Sequence, residues 1–441
     1  MTTLLRIVVF GAVVALGLTG CDAFDIEDRP NPNGPALDDI VDNPTEANLS
    51  NLGIGIEASA RLGLGTYLVD VGVLGREYWR VSPSDPRFTS DLLGKGDFTL
   101  GNNEFYVITP WSARYTTIRN ANTMLVALEG NTTLSDGEKA AARGFAKTWI
   151  AYSYLLNLNL TAQNGLRFIE PGADEAGPIV GYDESLDRIA ALFDEGYTDL
   201  QAGSDLFFAT TVASGIPAGT DGYALVNRAL AARVDAYRED WPGVLAALED
   251  SFLDPTAPLT DGAYHVFSTG AGDITNPFFF PLDGNGDGAL AHPSFVADIA
   301  DDDDRLAKVF ERTDSRTFDG LTSAFDVDVY ASPTAAIPII RNAELILLRA
   351  EARAQTSAPG AAVADLDVIR TAAGLAPYTG ATTQAALIDE VLRQRRYELY
   401  AEGHRWIDLR RYGRLGTLPI DRAGDDIFSQ FPLPEQEVLD S

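Results

Sequence analysis

Glu402, His404 and Asp408 fall close together near the end of the chain, with Arg405, Arg410 and Arg411 around them. A histidine between carboxylates is a residue set suited to general acid–base catalysis. The spacing argues for another use. Arg395, Arg396, Glu398, Glu402, Arg405 and Asp408 alternate in sign at helical intervals, the pattern of interlocked ion pairs that fasten helices together. The other two histidines, His265 and His292, stand at no metal-ligand spacing from each other. The chain contains no Gly-x-Ser-x-Gly, no P-loop and no dinucleotide fingerprint. Asp and Glu together number 64, so carboxylate pairs arise by chance and none stands out as a glycosidase pair. These residues describe a chain that is not an enzyme.

The run Asp283-Gly284-Asn285-Gly286-Asp287-Gly288 is sharper. It places oxygen ligands at the first, third and fifth positions and Gly at the sixth, as the start of a calcium loop does. The twelfth position, where a bidentate acid belongs, is Ser294, although Asp298 or Asp301 could reach in. Asp283, Asn285 and Asp287 are therefore either ligands of a structural calcium or an acidic Gly-rich turn. No other cofactor is required by any motif.

The elements that must position such groups are mostly helical. Thr109-Pro110 reads as a cap followed by Pro at the first helical position, and Trp111, Tyr115, Ile118, Asn122 and Leu125 then fall on one helical face. Ser135-Asp136-Gly137-Glu138 is a capping box opening a helix that runs to about Leu160, with Phe145, Trp149, Tyr152 and Leu156 along its stripe. The unit recurs over Ala224–Arg238 and Gly243–Phe252, and again over Arg341–Gln355 and Ala361–Arg370. A helix from Ala385 to Glu402, with Gly403 as its cap, precedes a short last helix over His404–Tyr412. Helix pairs with small contacts resemble tetratricopeptide repeats of irregular spacing. The fold class is mainly α: an irregular tetratricopeptide-like helix-pair scaffold over about 109–255 and 339–413. Residues 61–108 and 256–338 are rich in Gly, Pro, Asp and aromatics, and such excursions carry function. Residues 46–441 read as one domain.

The chain has 441 residues, of which 46% are hydrophobic, enough for a sizeable core. Its formal net charge of −31 excludes nucleic acid and anionic lipid as partners, because both would be repelled. Lysine occurs only at Lys95, Lys139, Lys147 and Lys308, and every other basic residue is Arg. A salty environment explains both the acid excess and the scarcity of Lys; a GC-rich genome explains only the latter. At the N-terminus Arg6 precedes the apolar run Ile7–Leu18, too short to span a bilayer comfortably, and residues 1–20 read as a signal peptide. Leu18-Thr19-Gly20-Cys21 is a lipobox, and Cys21 is the only cysteine, so the expected use of that thiol is acylation. Residues 21–45, Pro- and acid-rich without a period, read as a lipidated flexible tether. Asp22 leaves the membrane leaflet open.

The C-terminal hundred residues carry a family resemblance. Ile339-Ile-Arg-Asn-Ala-Glu-Leu-Ile-Leu-Leu-Arg-Ala-Glu-Ala352, Ala364-Asp-Leu-Asp-Val-Ile-Arg-Thr-Ala-Ala-Gly-Leu375, Val391-Leu-Arg-Gln-Arg-Arg-Tyr-Glu-Leu-Tyr-Ala-Glu-Gly-His-Arg-Trp-Ile-Asp-Leu-Arg-Arg-Tyr-Gly413 and Phe431-Pro-Leu-Pro-Glu-Gln-Glu437 are similar to successive motifs of the SusD/RagB family of nutrient-binding outer-membrane lipoproteins. The departures are Gln394, where the family usually has Glu, and the absence of an Asn-Pro-rich tail after Ser441. The resemblance implies non-catalytic capture of a nutrient ligand at the cell surface and its delivery to a TonB-dependent, SusC-like transporter. Oligosaccharide is the first expectation. Peptides or another organic nutrient, as for RagB-like members, are the alternative, with a surface glycoside hydrolase behind both. The resemblance also implies a ligand site built from the early loops and from the segment between the middle and last repeats. Tyr78, Trp79 and Arg80, with Asp70 and Glu77 as polar partners, are then the expected ligand surface, unless Trp79 is a plug over the core. Phe278, Phe279 and Phe280 are the second candidate surface.

Overall fold

Apolar periodicity becomes helix over most of the chain. The computed structural model describes residues 44–439 apart from 174, 175 and 212, together with residue 41. The expected signal peptide, Cys21 and nearly all of the expected tether lie outside the described residues. Helices α1 (Glu46–Ala60) and α2 (Leu64–Leu74) lead into strand β1 (Tyr78–Val81) and the single turn α3 (Arg87–Ser90). Helices α4 (Phe105–Gly130) and α5 (Asp136–Thr161) follow, then the short strands β2 (Leu166–Arg167) and β3 (Ile179–Val180), helix α6 (Tyr182–Ala202) and strand β4 (Ala213–Ser214). Next come α7 (Gly219–Tyr237) and α8 (Trp241–Glu249), β5 (Gly262–His265), β6 (Gly288–Ala291), α9 (Pro293–Asp298), β7 (Val309–Phe318), β8 (Leu321–Val327) and β9 (Ile337–Arg341). Helices α10 (Asn342–Gln355), α11 (Pro359–Ala372), α12 (Gln384–Glu398), α13 (Arg405–Arg411) and α14 (Glu435–Leu439) complete the chain.

The helices form the expected irregular tetratricopeptide-like scaffold. Each packs on the next: α1 on α4, then α4, α5, α6, α7 and α8 in succession, then α8 on α10, which holds α11 and α12. Helices α5 and α6 meet at Gly144, where a Cβ would stand 2.6 Å from the Gly196 carbonyl, so only glycine allows the approach. A separate apolar cluster including Ile346, Leu347, Leu366, Ile369, Leu387 and Val391 holds α10, α11 and α12 together.

Local chemistry sets several helix ends. Ser135 Oγ accepts the Glu138 N–H while the Glu138 carboxylate accepts the Ser135 N–H at 2.8 Å, the expected capping box. Helix α4 begins earlier than Thr109-Pro110 suggests, and Pro110 lies inside it. Contacts distant in sequence recruit the extra turn: Phe105 meets the Phe88 ring edge-on at 5.1 Å, and Tyr106 donates to Asp91 at 3.0 Å. Helix α12 stops at Glu398 rather than at Glu402. The Lys308 ammonium donates to the carbonyls of Tyr397 and Glu398, and Arg341 also donates to that of Glu398, so these acceptors are satisfied without further helix. Left-handed Ala401 (φ 61°) and Gly403 (φ 88°) then turn the chain into α13.

The two Gly- and Pro-rich stretches are more regular than their composition suggests. They supply α2 and an antiparallel sheet of order β1-β6-β8-β7, in which Trp79 pairs with Leu290 and Leu290 with Asp326. A second antiparallel sheet of order β4-β5-β9 joins the later excursion to the scaffold. The C-terminal segment after α13 runs back across both layers. Asp426 N–H donates to Leu93 at 2.7 Å, Phe431 N–H to Leu160 at 2.8 Å and Glu435 N–H to Asn102 at 3.0 Å.

Candidate functional site

The charged motif near the C-terminus is a buried ionic lattice. Arg395 Nε reaches Asp408 Oδ2 at 2.6 Å, and Arg411 bridges Asp408 at 3.1 Å and Glu351 at 3.0 Å. Arg341 holds Glu398 at 2.9 Å and Glu402 at 2.8 Å, and Arg233 holds Glu344 at 2.6 Å. These pairs tie α7, α10, α12 and α13 to one another. Arg396 pairs outward with Asp298 at 2.9 Å, whereas Arg405 donates to the Gly75 carbonyl at 2.9 Å. His404 is buried, and burial pushes its pKa down to about 4 despite Glu344 at 3.7 Å, so it stands neutral inside the lattice. Every carboxylate of the set is engaged by a cation, which fits fastening rather than catalysis.

The structure brings the expected ligand residues together but encloses them. Trp79 is 3% exposed; its Nε1 donates to Asp421 at 3.0 Å, and its ring meets His292 at 5.0 Å. Tyr78 is buried against Phe278, with ring centroids 5.0 Å apart, and donates to the Leu68 carbonyl at 2.6 Å. Arg80 lies over the Phe280 ring at 4.4 Å and pairs with Asp287 at 3.2 Å. Asp70 is fully buried, neither carboxyl oxygen is hydrogen-bonded among the described residues, and desolvation raises its pKa well above the usual range. Glu77 is buried beneath the turn into α13, accepts the Ala401 N–H at 3.3 Å, and is pushed up to about 8, chiefly by burial. Phe278 is buried, while Phe279 and Phe280 are half-buried. The expectation that Tyr78 and Trp79 offer a stacking face is therefore corrected. Strand β1 is covered on both faces, and Trp79 is the plug.

The acidic Gly-rich loop does not fit calcium either. Arg316 donates to the carbonyls of Asn285 and Gly286 at 2.9 and 2.8 Å, and Arg312 to that of Gly284 at 3.1 Å. Asp283 accepts from Thr313 at 2.7 Å, Asp287 from Ser82 at 2.8 Å, and Asp298 is spent on Arg396. Arg80 at 3.2 Å from Asp287 and Arg312 at 3.7 Å from Asp283 also set guanidinium groups beside the two carboxylates that a cation would need. Among the described residues no group of three or more His, Cys, Asp or Glu could hold a metal ion.

An open cleft of about 620 Å³ lies instead one loop away, in the same excursions. It is lined by Pro86, Ser90, Lys95, Gly96, Asp97, Phe98 and Asp319. Phe98 is 55% exposed, the most open of the aromatic side chains on this surface. It is presented by a loop in which Gly94 and Gly96 both have φ of 66°. The loop is pinned where Gly96 N–H donates to Gly424 at 2.9 Å. Asp319 enters from the β7–β8 hairpin, whose Asp319-Gly320 turn has both φ values positive (50° and 80°), the Asp-Gly hairpin turn. Burial pulls the Asp319 pKa up, but hydrogen bonds from Lys95 and Arg422 outweigh it and hold the carboxyl below its ordinary value. The cleft therefore offers an apolar ring face, a fixed carboxylate, an ammonium and the exposed Asp97 carboxylate. Sequence reasoning passed over Phe98, although an aromatic flanked by charges in a Gly-rich turn is a signal of presentation rather than packing.

Residues 325–437 match the model of the SusD family. No curated protein matches the sequence. Among solved structures the chain is similar to surface glycan-binding protein A from Bacteroides uniformis, at 16% identity over 90% of this chain and 98% of that one, with a TM-score of 0.68. It is similar to a SusD superfamily protein from Bacteroides vulgatus at 15% identity over 90% and 97%, with a TM-score of 0.65. A SusD-like carbohydrate binding protein from Bacteroides vulgatus aligns at 15% identity over 83% of each chain, with a TM-score of 0.63. At these identities the likeness establishes the fold.

Proposed function

We propose, on the premise that this chain is a SusD-family protein over residues 325–437 and in its fold, that it captures a carbohydrate non-catalytically at the cell surface through the cleft around Phe98. The observation that carries the reading is the pairing of an exposed aromatic face with ordered charges in that cleft. Sugar rings present apolar faces that stack on aromatics, while their hydroxyls seek carboxylates and ammonium groups. Phe98 supplies the first; Asp97, Asp319 and Lys95 supply the second. The names of the similar structures, a glycan-binding and a carbohydrate binding protein, support the same ligand class.

In this reading Cys21 anchors the chain to the outer membrane, and a TonB-dependent, SusC-like transporter receives the ligand. Among the described residues no helix is long and apolar enough to cross a membrane. Cys21→Ser is expected to move the protein out of the membrane fraction, and unchanged retention would exclude the anchor. The ligand class is tested by probing an array of neutral glycans, acidic glycans and peptides. Phe98→Ala should weaken glycan binding about five- to thirtyfold, the loss of roughly 1–2 kcal/mol of stacking contact. Its melting temperature should stay at the wild-type value, because the ring packs on little. Binding of peptides alone, or glycan binding indifferent to Phe98→Ala, would refute this site.

A further inference from the structure

A second concave surface lies on the helical scaffold, sharing no lining residue with the cleft around Phe98. It encloses about 700 Å³, within the roughly 300–1,000 Å³ of small-molecule sites. The end of α5, the start of α6, the α7–α8 turn, the ends of α10 and α13, and Ser429 and Gln430 of the C-terminal segment all border it. Packing alone does not account for its lining. The Tyr182 and Tyr237 hydroxyls and the Trp241 indole N–H have no hydrogen-bond partner among the described residues, and all three residues line the cleft. Trp241 is half-buried and leads α8 from a turn in which Glu239 takes φ 58°, a conformation that costs a non-glycine residue energy.

The charges are arranged by depth. Arg238 and Arg411 are already paired, with Asp187 at 2.9 Å and with Glu351 at 3.0 Å. Arg410 is not: it donates to the carbonyls of Ser429 at 3.1 Å and Asn159 at 2.8 Å, lies over the Trp406 ring at 4.5 Å, and meets no carboxylate among the described residues. Burial lowers its pKa, as expected of a cation left without a counter-charge. Around the mouth, Asp183 and Glu239 are exposed and unpaired among the described residues. An anionic ligand would have to pass those carboxylates. A neutral polyhydroxylated one would not, and it alone uses the whole set: hydroxyl and indole donors, a guanidinium for ring or hydroxyl oxygens, rim carboxylates as acceptors, and the Tyr182 and Trp241 faces for stacking.

We infer that this scaffold cleft is a second saccharide site, specific for neutral oligosaccharides. It rests on the carbohydrate reading for its ligand class but on different residues for its geometry. The test uses the full chain on an array of neutral and acidic oligosaccharides, comparing wild type, Phe98→Ala, Trp241→Ala and the double variant. Asp183→Ala is a second substitution, at an exposed residue of the rim. The expected result is residual neutral-glycan binding in Phe98→Ala that falls a further five- to thirtyfold, or about that range, when Trp241→Ala or Asp183→Ala is added, at unchanged melting temperature for Asp183→Ala. Residual binding indifferent to both added substitutions would overturn the inference. So would Phe98→Ala alone abolishing all binding, a preference for acidic glycans at the residual site, or wild type binding no neutral oligosaccharide. If Phe98→Ala binds as wild type does while Trp241→Ala is impaired, the first cleft fails and this one stands.

Discussion

Replacing Asp408 by Asn tests whether the C-terminal motif is a fastening device. Asp408 is 3% exposed and receives Arg395 at 2.6 Å and Arg411 at 3.1 Å. Arg411 keeps Glu351 after the change. Arg395, 1% exposed, keeps no carboxylate within salt-bridge distance among the described residues and becomes a buried, uncompensated cation. Breaking a buried pair in this way costs about 3–5 kcal/mol. Glu402→Gln is the internal contrast. Its partner Arg341 retains Glu398 at 2.9 Å, and the Gln oxygen still accepts, so the loss should be about 1–2 kcal/mol. The pH dependence adds a second axis. Burial pulls the Asp408 pKa up, but Arg395 and Arg411 outweigh it and hold it below the ordinary 3.8. A depressed folded pKa means stability that is present above the unfolded pKa and lost as pH falls through the folded one. The gap between wild type and Asp408→Asn should therefore be full at pH 7 and shrink below about pH 4. Urea unfolding across pH, with glycan binding measured on the folded fraction, checks all three. An Asp408→Asn loss below about 1 kcal/mol, a larger loss in Glu402→Gln, or lost binding at wild-type stability would refute the reasoning.

Trp79→Ala should behave as a core deletion, losing about 3–5 kcal/mol as Trp111→Ala does, because both indoles are 3% exposed and each donates to a carboxylate. A Trp79→Ala variant that melts normally and loses only ligand would restore the stacking role that its burial denies. Glu77, raised to about 8 by burial, binds its proton more tightly folded than unfolded. Its contribution is complete below the ordinary value of 4.5 and is gone once pH has risen through about 8, so melting temperature should fall from about pH 4.5 to about pH 8 and level off above. Glu77→Gln should flatten that fall, and an identical slope in the variant would show that another group titrates.

Much of the scaffold was legible in the sequence because its causes are local. The Ser135–Glu138 capping box and the Trp111, Tyr115 and Ile118 face need only helical geometry to be recognised, and both appear where periodicity put them. The sign alternation from Arg395 to Asp408 is likewise local and predicted a lattice, but of its members only Arg395 and Asp408 pair with each other; Glu398 and Glu402 take Arg341, and Arg396 takes Asp298, from segments outside the motif. Helix α6 and the four-stranded sheet were missed. The sheet pairs segments more than two hundred residues apart, such as Trp79 with Leu290, and no short window contains that information.

Exposure was decided only by the tertiary structure. Trp79 and Phe98 both stand in a Gly- and Pro-rich excursion, and residue type alone does not separate them. What separates them is Asp421, brought from the C-terminal segment onto the Trp79 indole, while the same segment, through Gly424, props the Phe98 loop outward from behind. The Asp283–Asp287 loop has calcium spacing in sequence, yet Arg312 and Arg316 of the facing strand β7 fill it. Residue type and spacing state what a side chain can do. Whether it faces solvent, a ligand or a guanidinium depends on which distant segment packs over it, and that is a property of the assembled chain.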